Sequence, residues 1–163
     1  MNIFAVDLNT TTCARYHIDK HIVKMPIELA QMISFVYYDY DYWQKENPSI
    51  LMAFSKNHAI HPCSKWIKES LGNFIWTSEL GIKLIEEYRY RYNSEKHERC
   101  YQLFKYALNN YPNFDKWEMT DFALAMPDEY KCESSIESYR TYYRLGKIDL
   151  LKWTKRDIPK WIN

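Results

Sequence analysis

With only three glycines in 163 residues, the chain has little of what phosphate-cradling loops and dinucleotide fingerprints are made from. Both need glycine where backbone approaches ligand closely, and neither motif is present. Tight β-hairpins also draw on glycine at their turns, so the shortage weighs against a sheet of hairpins and towards helices. No run of eighteen apolar residues occurs, which leaves no candidate for a membrane-spanning helix and predicts no membrane partner. A net charge of +1 excludes a strong global field for DNA, so any nucleic-acid contact must come from a local basic patch. Cys13, Cys63, Cys100 and Cys132 contain no C-x-x-C pair. Met1 to Val6 does not read as a signal peptide, so the cysteines are expected to be reduced thiols in an intracellular protein, in the host cytoplasm if the chain is viral.

Aromatic side chains, by contrast, are plentiful: 15 tyrosines, 6 tryptophans and 7 phenylalanines. Many must fill a core, and tyrosine near the surface also suits stacking on bases or other flat ligands. The length fits one domain with its own core. The expectation is an all-α fold, a single compact helical domain over residues 1–163 with a short extended N-terminal segment. In that segment Ile3-Phe4-Ala5-Val6 reads as a buried extended stretch or a lone edge strand. Asn9 and the threonines after it offer N-caps for a helix running to about Tyr37, with Pro26 expected to kink it near Ile22. A short helical piece follows Asn47-Pro48-Ser49. Pro62 then suits the first turn of a long helix to about Tyr92, with Trp66, Ser70, Phe74, Thr77, Leu80, Leu84 and Tyr88 inward. Gly72 and Gly81 inside that helix point to close packing. Further helices are expected over roughly Glu95–Asn109 and Ser134–Leu145, with Gly146 as a C-cap and a basic, aromatic tail from Trp153.

The richest chemistry lies between His17 and Gln31. Ile18, Ile22, Met25, Leu29, Met32 and Ile33 form an apolar stripe, and His17, His21, Lys24 and Glu28 form a polar row beside it. Such a row is either solvated surface or the lining of a pocket. Glu28 is the best acid or base candidate; burial favours its neutral form, Lys24 its charged form, and a plain ion pair with Lys24 is the structural alternative. His17 and His21, with His61 and Cys63, have the residue types of a metal site but lack the glutamate that zinc proteases place after the first histidine, so neither metal nor cofactor is expected. From Tyr139 to Lys147, aromatics alternate with Arg140 and Arg144, a pattern shared by stacking surfaces and ordinary amphipathic helices.

Three places resemble one family. Asp19-Lys20-His21-Ile22 with Glu28-Leu29 is similar to the D-x-H-φ-φ…E-L segment (φ apolar) of the phage pyrimidine-dimer DNA glycosylases of the endonuclease V type. His61 and the helix after it resemble that family's central helix, and Tyr139 to Lys147 resembles its W-Y-K-Y-Y-G-K motif. The patches are short, in the right order, and span most of the chain. The chain also resembles small phage proteins carrying H-x-D-K-H, H-P-C-x-x-W and M-P-D-E-Y-K, a likeness that names no activity.

The resemblance to the glycosylases implies a DNA- or nucleotide-directed N-glycosylase/lyase. A free N-terminal amine, on Met1 or Asn2, would attack the sugar carbon bearing the base, with Glu28 as acid/base and His21 as its hydrogen-bonding partner. Lys20, Lys24, His61, Lys65, Arg140 and Lys147 would meet phosphate, and Tyr142 and Tyr143 would stack on a base. The family exposes a threonine where this chain has Asn2, and its arginines beside the glutamate are Ile27 and Gln31 here. The alternatives are a non-catalytic viral protein that holds a nucleotide or phosphorylated small molecule in the same pocket, and a protein–protein module in which the histidine row is structural.

Overall fold

A computed structural model describes residues 2–41 and 48–163. Among them the chain is helical and has no strand, and one core cluster runs through it. The helices are α1 (Thr10–Tyr16), α2 (Asp19–Asp39), α3 (Lys56–Ile60), α4 (Pro62–Glu69), α5 (Leu71–Tyr92), α6 (Glu98–Asn109) and α7 (Ser135–Gly146), with single 3₁₀ turns at Pro48–Ile50, Asp128–Tyr130, Ile148–Leu150 and Lys160–Ile162. The α5 helix is central and packs against α1, α2, α4 and α6. No helix among the described residues is long and apolar enough to cross a membrane.

The expected helix from Asn9 to Tyr37 is two helices. Asn9 caps α1 by accepting from Thr12 N, but His17 and Ile18 adopt extended backbone and turn the chain. A helix end leaves carbonyls without partners. Here the buried Arg91 guanidinium supplies donors to Arg15 O and His17 O, both at 2.9 Å. The break is held by a residue some seventy positions away, which local sequence cannot announce. Pro26 does lie within α2, which continues to Asp39, so Tyr37 ends no helix.

The expected helix from Pro62 to Tyr92 also divides. The inward row is as predicted, with Trp66 through Tyr88 buried, but Ser70 is extended and caps α5 by accepting from Asn73 N. The first amides of α5 are taken by the loop before Phe122: Leu71 N donates to Lys116 O at 2.9 Å and Gly72 N to Trp117 O at 3.1 Å. A Cβ on Gly72 would lie 2.5 Å from Met119 N, and one on Gly81 2.4 Å from the Phe104 ring, so both glycines serve close packing as expected. The helical piece expected through about Ser55 is only the Pro48–Ile50 turn, with α3 starting after it at Lys56; and Gly146 is the last residue of α7, capped by Lys147, rather than the cap itself.

The N-terminal segment is buried without being a strand. Ile3, Ala5 and Val6 are fully enclosed, and Phe4 sits at φ 45°, a left-handed conformation that a bulky residue adopts only when its surroundings hold it there. Tyr139 and Tyr143 of α7 pack beside it in the core.

Candidate functional site

The α2 helix carries His21, Lys24 and Glu28 on one row because its stripe of Ile22, Met25, Leu29 and Ile33 is committed to the core. Glu28 is only 7% exposed. One of its oxygens, Oε1, meets Lys24 Nζ at 2.8 Å, and the other, Oε2, accepts from the backbone nitrogen of Asn2 at 3.1 Å. The start of the chain is thereby brought against the acid or base candidate of α2. These groups line a cavity of about 190 Å³ together with Phe4, Met25, Ala125, Tyr142 and Lys147. That is below the roughly 300 Å³ at which pockets for drug-sized ligands begin, and suits a single ring or sugar rather than a whole nucleotide.

His21 stacks on Phe4 at 4.0 Å between ring centroids, and its Nδ1 lies 2.7 Å from the Tyr143 hydroxyl. Burial first, and then the Lys147 and Lys24 ammoniums, push its pKa down to about 2. His21 is therefore held as a neutral hydrogen-bonding group near neutral pH. His17 is fully buried, and burial lowers its pKa to about 4. Its Nδ1 donates to Cys13 O at 2.8 Å.

The remaining residues named from sequence divide between cavity and elsewhere. Tyr142 and Lys147 line the cavity, with the Lys147 ammonium 4.8 Å above the Tyr142 ring centroid. Tyr143 is fully buried, so it has no open face for stacking. Arg140 is occupied within the fold: it donates to Val6 O at 2.9 Å, pairs with Asp7 and Glu137, and lies over Trp161. Lys20 is exposed at the start of α2 and outside the cavity lining. His61 caps α4, its Nδ1 accepting from Cys63 N at 3.1 Å. Lys65 lines a separate, broad cleft of about 590 Å³ with Trp66 and Ala123, two residues along the chain from the cavity's Ala125. Met1 lies outside the described residues. Among the described residues no group of three or more His, Cys, Asp or Glu side chains could hold a metal ion.

Sequence reasoning missed Phe4, Met25 and Ala125 as cavity walls, and it missed the buried charge network behind α2. Arg91 sits between Asp19 (Nη1 to Oδ1, 2.9 Å) and Glu87 (Nε to Oε1, 2.7 Å), and Arg156 closes the network on Glu87. The signal for Arg91 was present: the inward row Leu84, Tyr88 reaches it at the next helical step, and an arginine in core register demands partners. Nothing local marks Ala125. No protein-family model, curated protein or solved structure matches this chain.

Proposed function

We propose that the cavity at Glu28 is the catalytic pocket of a DNA- or nucleotide-directed N-glycosylase/lyase. The observation that carries this reading is the 3.1 Å contact between the Asn2 backbone nitrogen and the Glu28 carboxylate inside a small, cation-rimmed cavity. While Met1 is attached, that nitrogen is an amide without nucleophilic character. In a chain beginning at Asn2 it is an α-amine, a good nucleophile that titrates near neutrality.

The amine attacks the sugar carbon bearing the base, and the base leaves with the electron pair of the glycosidic bond. Loss of a proton from nitrogen and opening of the sugar ring give a Schiff base. Glu28, within hydrogen-bond reach of that nitrogen, takes and returns the protons. The Schiff base acidifies the adjacent C–H, and β-elimination then breaks the strand. Lys24 and Lys147 supply cations for phosphate, Tyr142 forms a cavity wall with its ring already set against Phe4, Tyr130 and the Lys147 ammonium rather than open for a base to stack on, and neutral His21 holds a hydrogen bond without adding charge.

The test is borohydride trapping with an oligonucleotide containing an abasic site, after mass spectrometry has established the first residue. The expected result is a covalent adduct on the residue 2 amine that vanishes when the amine is acetylated. A folded protein with a free Asn2 amine and no adduct would exclude the Schiff-base reaction. In that case the non-catalytic reading gains: the same cavity would hold one ring or sugar of a nucleotide or a phosphorylated small molecule, and Glu28→Gln would leave its affinity largely intact.

A further inference from the structure

The first residues of a chain ordinarily fray. Asn2 is 4% exposed, and every polar atom of its side chain is engaged. Its Nδ2 donates to Ala125 O at 2.6 Å. Its Oδ1 accepts from Ile3 N at 2.7 Å, from Phe4 N at 3.3 Å and from the Cys63 thiol at 3.8 Å. The acceptor on Ala125 is itself fixed from behind. The buried Tyr139 hydroxyl donates to Ala123 O at 2.6 Å and accepts from Ala125 N at 3.4 Å, clamping residues 123–125.

Burying a carboxamide costs free energy unless all its hydrogen bonds are made. An apolar residue would fill the space beside Phe4 without that demand. What the carboxamide adds is position. Through two backbone amides it folds residues 2–4 into a tight turn, and through Ala125 it ties that turn to the α7 side of the cavity. We propose that the Asn2 side chain, backed by Tyr139 and Cys63, is the positioning device that holds the residue 2 nitrogen on Glu28. The proposal rests on the lyase reading above and adds to it the Asn2 carboxamide and two residues, Tyr139 and Cys63, that lie outside the cavity lining. Cys63 and Tyr139 suit the part because burial pushes the Cys63 thiol up to about 12 and the Tyr139 phenol well above its ordinary range, so both keep their protons and remain donors.

The experiment uses chains whose Met1 has been removed. The pH dependence of N-terminal reductive methylation is read by peptide mass spectrometry, each variant against the same chain unfolded in urea. Glu28 beside the amine raises its midpoint, while burial and the Lys24 and Lys147 ammoniums of the same cavity lower it, so the Glu28 contribution is read as the drop that Glu28→Gln produces. In Tyr139→Phe, which deletes only the hydroxyl, the midpoint should fall to the Glu28→Gln value, and Asn2→Ala should do the same. Single-turnover trapping on abasic DNA should slow by about 100-fold at saturating DNA with the half-saturating concentration unchanged, as expected for a misplaced nucleophile. Unfolded chains would react with the unfolded midpoint, so each variant is compared only where circular dichroism shows it fully folded. If folded Tyr139→Phe and Asn2→Ala keep the wild-type midpoint while Glu28→Gln lowers it, the positioning role is overturned and the nucleophile assignment stands. If Glu28→Gln also leaves the midpoint unmoved, the amine is not on Glu28 and the catalytic reading falls with it.

Discussion

Asp19 and Glu28 are both buried carboxylates on α2, nine residues apart, and the fold treats them in opposite ways. Asp19 is enclosed by donors: Arg91 Nη1 at 2.9 Å, Thr154 N at 2.9 Å and Thr154 Oγ1 at 2.7 Å. Burial alone would raise its pKa, but these bonds more than offset that and hold it below the usual carboxylate range. The same balance holds for Glu87 between Arg91 and Arg156. Glu28 instead lines a cavity, and its ammonium partner Lys24 has 66% of its side chain exposed. A buried charge supplied with fixed guanidinium donors is used up in holding the fold together. Glu28 differs in lining a cavity, where it meets an exposed lysine and a backbone nitrogen.

The comparison can be broken from either side. Arg91→Met leaves Asp19 and Glu87 without their shared cation and frees the carbonyls at the end of α1. Removing one partner of a buried pair typically costs about 3–5 kcal/mol, so the variant should lose most of its stability in a denaturant melt. Glu28→Gln should do the reverse. It should melt close to wild type, while the trapping rate falls by about 10²–10⁴-fold, the usual weight of a general acid or base. Equal damage to stability from both variants would erase the distinction between the two carboxylates.

Acid should sharpen it. His17 is neutral when folded, with its pKa lowered from 6.5 to about 4. Below pH 6.5 the unfolded chain binds a proton that the folded one refuses, so stability falls as pH drops from 6.5 to about 4 and this loss then levels off. The size expected from that shift is roughly 3 kcal/mol. Asp19 and Glu87, held below their ordinary values, add a further loss only at lower pH, once the folded carboxylates begin to protonate. His17→Gln should lessen the slope between pH 6.5 and about 4 without abolishing it, because His21, held neutral down to about 2, loses stability over the same range and below it, as read by melts across pH.

Smaller effects are expected at the rim. Gly146→Ala would set a Cβ 2.5 Å from the Tyr142 ring and displace the cavity wall; overpacking of this kind costs about 1–3 kcal/mol, and weaker binding of abasic DNA should accompany it. Lys24→Gln removes an exposed partner and should cost only about 0.3–0.5 kcal/mol of stability. Its effect belongs in DNA affinity, where the salt dependence should flatten by about one counterion, as measured by fluorescence anisotropy over a salt series.

Much of the architecture was legible in the chain. The helical class, the stripe of α2, the inward row from Trp66 to Tyr88 and the close approach at Gly72 and Gly81 all follow from periodicity and residue size. Within the site, the polar row His21, Lys24, Glu28 was legible for the same reason, since helical geometry places such residues on one face whatever surrounds them. Helix breaks were not legible, because the groups that satisfy the broken ends come from far along the chain: Arg91 at His17, and the Lys116–Trp117 carbonyls at Ser70. Nor could α7 show which of its tyrosines reach the cavity. Tyr142 and Tyr143 are neighbours, yet one lines the cavity and the other is sealed in the core, a choice made by how the helix is rotated against Phe4 and His21.

The sequence by itself determined that the protein would be helical and that α2 would carry a carboxylate beside its core face, because both depend on spacing along one segment. Only the tertiary structure decided that Asp19 would be spent on Arg91, that Arg140 would be tied to Val6 and Asp7, and that the nitrogen of Asn2 would come to rest on Glu28. Those outcomes depend on which distant donors and acceptors folding brings within hydrogen-bond reach, and that distance is set by packing rather than by any local pattern.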